Sequence, residues 1–137
     1  MDIRKILVIS LLYITIGLRD VDGESGVYVL NLPVEIVQAL KSGDAKTISK
    51  YFNTSVELIF SESQGVYGKA QAEQILKNFF TNNASPGGSF SYRELHSGNR
   101  DNPQYYIGEL HTGKGRYRVT IFMKDQRIHQ MRVESND

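Results

Sequence analysis

Cysteine is absent from the 137 residues. Its absence excludes disulfides, thiolate metal sites, a cysteine nucleophile and a lipid-modified N-terminal cysteine. A surplus of one charge is missing too: 16 Lys and Arg stand against 15 Asp and Glu, for a formal net charge of +1. Removing residues 1–23 takes away Arg4, Lys5 and Arg19 together with Asp2, Asp20 and Asp22, so the balance is unchanged. No strong field therefore points to nucleic acid or to an anionic membrane. No apolar run reaches the ~20 residues that a helix needs to span a bilayer. Nucleophile motifs, phosphate loops and dinucleotide fingerprints are missing as well: the glycines at 65, 68, 87, 88, 113 and 115 fall in turns, not between a strand and a helix.

What is present begins with an address. Arg4 and Lys5 precede an apolar stretch from Ile6 to Leu18, and the polar segment 19–23 follows. This is the layout of an export signal over residues 1–23, with an uncleaved N-terminal anchor as the alternative. The expected location is periplasmic or extracellular, with no membrane span once the signal is removed. Residues 24–31 read as a lead-in, and residues 32–137 as a single α+β domain.

Within that domain Val34, Val37 and Leu40 recur at helical spacing, Pro33 suits a first turn, and Gly43 suits a left-handed C-terminal cap. Asp44 then caps a second helix with the face Ala45, Ile48, Tyr51 and Phe52. The period switches to two in residues 56–60, a strand, and Gly65 to Gly68 is a short extended piece. A third helix over residues 69–80 buries Ala72, Ile75, Leu76, Phe79 and Phe80, and the break at residues 85–88 ends it. Four strands follow, at about 89–96, 105–112, 115–124 and 127–134, joined by connections short enough to make neighbours antiparallel. The two-residue loop Gly113-Lys114 fixes register, setting Leu110 opposite Tyr117, Gly108 opposite Val119 and Tyr106 opposite Ile121 on one apolar face. Behind them Glu109 faces Arg118 and His111 faces Arg116.

Three stretches carry a family likeness: residues 39–44 at the first helix junction, Ser55-Val56-Glu57 opening the first strand, and Gly68-Lys69-Ala70 leading into the third helix. On these residues the chain resembles the nuclear transport factor 2-like superfamily, which includes SnoaL-like proteins and ketosteroid isomerases, and within it the exported bacterial members of unassigned function. The resemblance implies a cone-shaped, strongly curved antiparallel sheet wrapped around three helices, with a pocket at the wide end and dimers formed through the outer sheet face. It also locates the isomerase base: the position matching the proton-accepting aspartate is Leu58, which cannot accept a proton. Fold alone implies no activity.

A near-repeat, Glu94-Leu95-His96-Ser97-Gly98 and Glu109-Leu110-His111-Thr112-Gly113, raises the question of a metal site of two carboxylates and two imidazoles. Alternation places Glu and His of each copy on one face, but a hairpin around residues 99–102 holds the histidines about six rungs, ~20 Å, apart. Surface cross-strand pairing is the expectation, and no metal or other cofactor is expected. His129 reads as a packed or edge residue, and the late basic residues, interleaved with Glu109, Asp125 and Glu134, read as a solvated sheet face.

The expected function is a non-catalytic exported domain that binds a small apolar ligand or a protein partner. A pocket would be lined by Leu58, Phe60, Tyr106, Tyr117 and Val119, with Gln130 and Arg132 as polar tips; the same tyrosines would otherwise fill the cone as core. The alternatives are an isomerase- or hydrolase-type enzyme using Glu109 or Glu94 with a tyrosine, and a dimeric interaction module. The last rests on Tyr105, Ile107, Thr120, Phe122 and Met131, assigned to the outer sheet face, where apolar residues call for a cover.

Overall fold

The computed structural model describes residues 32–61, 63–85, 90–99 and 103–137. Residues 1–23, expected as an export signal, the expected lead-in at 24–31 and most of the break at residues 85–88 lie outside them.

Helix α1 (Val34–Ser42) buries Ile36, Ala39 and Leu40 and ends at Gly43, whose φ of 68° is the left-handed conformation anticipated for it. Asp44 caps α2 (Ala45–Ser49), its carboxylate accepting from the Thr47 backbone N–H at 3.1 Å and from the Thr47 hydroxyl at 2.6 Å. Those two bonds hold the Asp44 carboxyl below its ordinary range. The second helix is shorter than its apolar spacing suggests. Phe52, expected on its face, instead opens β1 (Phe52–Phe60) and is fully buried there, because the β-rich run that follows draws it into the sheet.

Strand β2 (Ser63–Gly68) folds back on β1, and α3 (Lys69–Asn83) returns the chain across the sheet. The strands β3 (Ser91–Asn99), β4 (Gln104–Thr112), β5 (Gly115–Lys124) and β6 (Arg127–Ser135) then form an antiparallel meander. The β4–β5 register is the one that the two-residue loop dictates, with Leu110 opposite Tyr117 and Tyr106 opposite Ile121. The sheet order is β2-β1-β6-β5-β4-β3, curved and unclosed, and one neighbouring pair departs from the antiparallel expectation: β1 runs parallel to β6. The long excursion through α3 and four strands is what permits a parallel neighbour.

Three register shifts bend this sheet. The one between Phe122 and Met123 leaves His129 as an extra residue in β6, so Ile128 and Met131 both point inward although they are three positions apart. The faces expected for the last strand are therefore corrected. Met131 is a core residue, 1% exposed, whereas Gln130 and Arg132 lie on the outer face beside Phe122 and Thr120. The shift between Glu94 and His96 likewise separates a pair expected on one face: Glu94 turns towards the helices, where its carboxylate accepts from the Leu32 N–H at 3.4 Å, and His96 turns outward to Tyr105. His96 pairs with Ile107, four positions along β4 from His111, so the two histidines stand roughly 13 Å apart along the sheet.

The core lies between the helices and the inner sheet face. Ile36, Leu40 and Ile48 meet Leu76 and Phe80 of α3 and the inward residues Leu58, Val119, Ile121 and Met131 of the sheet.

Candidate functional site

Helix α3 carries two adjacent stripes. Ala72, Leu76 and Phe80 recur every four residues and are buried. Beside them Ile75, Asn78, Phe79, Asn82 and Asn83 recur at i, i+3, i+4, i+7 and i+8, which places them on one flank of the same helix. That flank lines a cleft of about 530 Å³, completed by Phe60, Ser61 and Ser63 around the β1–β2 turn and by Lys114 and Tyr117 of the β4–β5 hairpin.

The floor of the cleft is aromatic. Phe79 stands between Phe60 and Tyr117, meeting both edge to face at centroid distances of 5.4 and 5.1 Å. Behind it Phe80 packs on Phe90, whose ring in turn closes on Gly43. Asn83 ties the floor to the hairpin: its side-chain N–H donates to the Phe79 carbonyl at 2.8 Å, its Oδ1 accepts from the Tyr117 hydroxyl at 2.9 Å, and its backbone carbonyl accepts from the Gly113 N–H at 2.9 Å. Gly113 is small for a reason, since a Cβ there would lie 2.7 Å from the Ser85 Cα and 2.8 Å from the Ala84 oxygen. The Thr112 hydroxyl shapes the turn from below, accepting from the Lys114 N–H and donating to the Gly115 carbonyl.

The rim is polar and nearly free of charge. Asn78, Asn82, Ser61 and Ser63 offer amides and hydroxyls, and Lys114 is the only formally charged side chain among the described lining residues. Among the described lining residues there is neither a carboxylate nor an imidazole.

Of the residues singled out from sequence, Phe60 and Tyr117 line this cleft. Leu58 and Val119 are fully buried core residues. Tyr106 is 3% exposed and spends its hydroxyl on Gln104 Oε1, at 2.9 Å. Gln130 and Arg132 are on the outer face, Gln130 donating to Glu57 and Arg132 pairing with Glu134. The asparagines of α3 and Lys114 were not anticipated. The repeat of Asn78 and Asn82 four positions apart, on the flank beside the core stripe, was the available signal; which helix end the hairpin would dock on was not readable.

The two carboxylates considered for catalysis lie elsewhere. Glu109 is on the outer face, covered by polar neighbours: His111 donates to its Oε1 at 2.6 Å, Asn136 to its Oε2 at 3.1 Å, and Arg93 stands at 3.8 Å. The hydrogen bond from His111 is the largest reason that its carboxyl is held below the ordinary range. Glu94 does face inward beside Tyr92 and Tyr106, whose hydroxyls are pushed up in pKa by burial first and by this carboxylate second. Among the described residues the Tyr92 hydroxyl has no hydrogen-bond partner.

This arrangement of helices and sheet is matched in known proteins. The family model described as "Domain of unknown function (DUF4783)" matches residues 33–134. The chain belongs to the DUF4783 family. A DUF4783 family protein from Bacteroides uniformis is 31% identical, with 78% of this chain and 99% of that one covered and a TM-score of 0.69. One from Bacteroides ovatus is 30% identical, over 77% and 96% of the two chains, also at 0.69. A nuclear transport factor 2-like protein of unknown function from Cytophaga hutchinsonii shares the fold at a TM-score of 0.53 and 11% identity, over 75% and 85% of the chains. The DUF4783 domain thus has the nuclear transport factor 2-like fold. No curated protein is similar to this chain.

Proposed function

We propose that this DUF4783 domain is a non-catalytic, exported binding module that holds a small, mainly apolar ligand in the cleft beside α3. The observation that carries this reading is the floor of Phe60, Phe79 and Tyr117, three interlocked rings that line a cleft within the usual volume of ligand sites. The lack of a carboxylate or imidazole among the described lining residues, with Leu58 where the family resemblance would put an aspartate, supports binding without turnover. The basic residues and apolar run before Leu18 support export.

The test is a fragment titration followed by NMR. Apolar fragments should shift the signals of Phe79 and Tyr117, and Phe79→Ala should abolish the effect. Shifts spread over the outer sheet face with none at these rings would refute the reading. Intact mass of the protein recovered from its native cell envelope tests export, the expected species lacking about the first 23 residues.

A second reading, a homodimer through the outer sheet face, is favoured by one observation: Tyr105 and Phe122 stack there at 6.2 Å and 19°, with the partly exposed Ile107 and Ile59 on the same face. Light scattering should then report twice the monomer mass, and Phe122→Glu should halve it. A monomer at high concentration removes this reading.

A further inference from the structure

Lys114 is held at the cleft by geometry that leaves its turn little freedom. Gly113 presses on the backbone of Ala84 and Ser85 and donates to Asn83, so the residue that follows it is delivered to the end of α3 and to the rim of the aromatic floor. Its ammonium has no ion pair among the described residues, and no carboxylate among the lining residues answers it.

From this we infer that the ligand is an amphipathic monoanion, a soluble carboxylate with an aromatic or short aliphatic body. The body lies against Phe60, Phe79 and Tyr117, and the carboxylate is taken by the Lys114 ammonium with help from the Asn82 amide at the rim. The inference rests on the ligand-binding reading of the same cleft and adds the charge of the occupant.

The competing role for Lys114 is structural. α3 has no basic residue in its last turn, and a cation near its C-terminus would offset the partial negative charge there. That charge amounts to roughly half an elementary unit and is spread over the last carbonyls, of which that of Asn83 is already satisfied by Gly113. Among the described lining residues a full ammonium therefore leaves a net positive charge, and a charge-assisted hydrogen bond to a carboxylate is the stronger use of it.

The experiment titrates the purified protein with 2-naphthoate, its neutral analogue 2-naphthamide and the cation 2-naphthylmethylamine, read by calorimetry and by the Phe79 and Tyr117 NMR signals. Naphthoate should bind about tenfold tighter than naphthamide, and the amine should bind weakest. Lys114→Met should erase the naphthoate advantage while leaving naphthamide binding as it was, and Lys114→Arg should restore it. Equal affinity for naphthoate and naphthamide, or an advantage that survives Lys114→Met, overturns the anion inference and leaves the cleft reading standing. If none of the three binds, both fall. A Lys114→Met protein that melts lower yet keeps its preference for naphthoate assigns Lys114 to the helix end and overturns the inference too.

Discussion

The Tyr117 hydroxyl donates to Asn83 Oδ1 at 2.9 Å, joining β5 to the last turn of α3 across the inner edge of the cleft. Asn83 is only 8% exposed, so its oxygen has little water to turn to. Tyr117→Phe keeps the ring against Phe79 and removes only this bond. It should cost about 1–2 kcal/mol of stability in urea denaturation, most of it from the stranded amide. Adding Asn83→Leu to Tyr117→Phe should recover part of the loss, because neither partner then stays unpaired.

Gly113 predicts a larger penalty. The obstacle to a Cβ is main chain at 2.7–2.8 Å, which cannot rotate away as a side chain can. Gly113→Ala should lower stability by about 1–3 kcal/mol and push the hairpin off α3. The check is a fall in melting temperature accompanied by shifted amide signals at Asn83 and Lys114.

Tyr92 predicts a change of the opposite sign. Its hydroxyl is buried without a partner among the described residues, and its ring lies over Gly108, where a Cβ would come within 2.2 Å of the Tyr92 oxygen. Tyr92→Phe should leave stability unchanged or raise it by about 1 kcal/mol, the reverse of what losing a buried hydrogen bond gives. A loss of about 1 kcal/mol or more in a denaturant titration would mean that the hydroxyl has a partner after all.

Acid should weaken the fold through Asp44 and Glu109. Both carboxyls are held below their ordinary values of 3.8 and 4.5, Asp44 chiefly by the Thr47 hydroxyl and Glu109 chiefly by His111. The folded state therefore favours the charged forms. Their contribution is complete above the ordinary values and is lost as pH falls through the lower folded ones. Melting temperature should hold from about pH 7 to about 5 and decline below about 4.5. Asp44→Asn keeps a capping oxygen without the charge and should flatten part of that decline, whereas Asp44→Ala should cost about 1 kcal/mol at neutral pH and less in acid.

Local chemistry was legible wherever a short piece of chain decides its own geometry. Gly43 ends α1, Asp44 caps α2, and the Gly113-Lys114 loop sets the β4–β5 register residue by residue. The errors lie where one residue alters a long pattern. His129 bulges from β6 and reverses the alternation after it, which moves Gln130 and Arg132 from the expected pocket to the outer face and Met131 into the core. Alternation has no means of announcing a bulge. The cleft was half legible: Phe60 and Tyr117 were anticipated from strand alternation, but Asn78, Asn82 and Lys114 belong to it only because a hairpin docks on the end of a helix that precedes it by a whole strand. Such a contact depends on tertiary packing, and single-sequence periodicity does not carry it.

The parallel seam between β1 and β6 also orders events in time. Leu58 finds its neighbour Met131 only at 131 − 58 = 73 positions later, almost at the end of the chain, while every pairing from β3 to β6 joins immediate neighbours. Seen from a nascent chain, the β1–β2 hairpin has no strand to lean on until the last segment is made. Closing that separation is the slow, entropically costly step. Until that final strand is made the sheet stays in two unjoined pieces, β1–β2 and the growing meander.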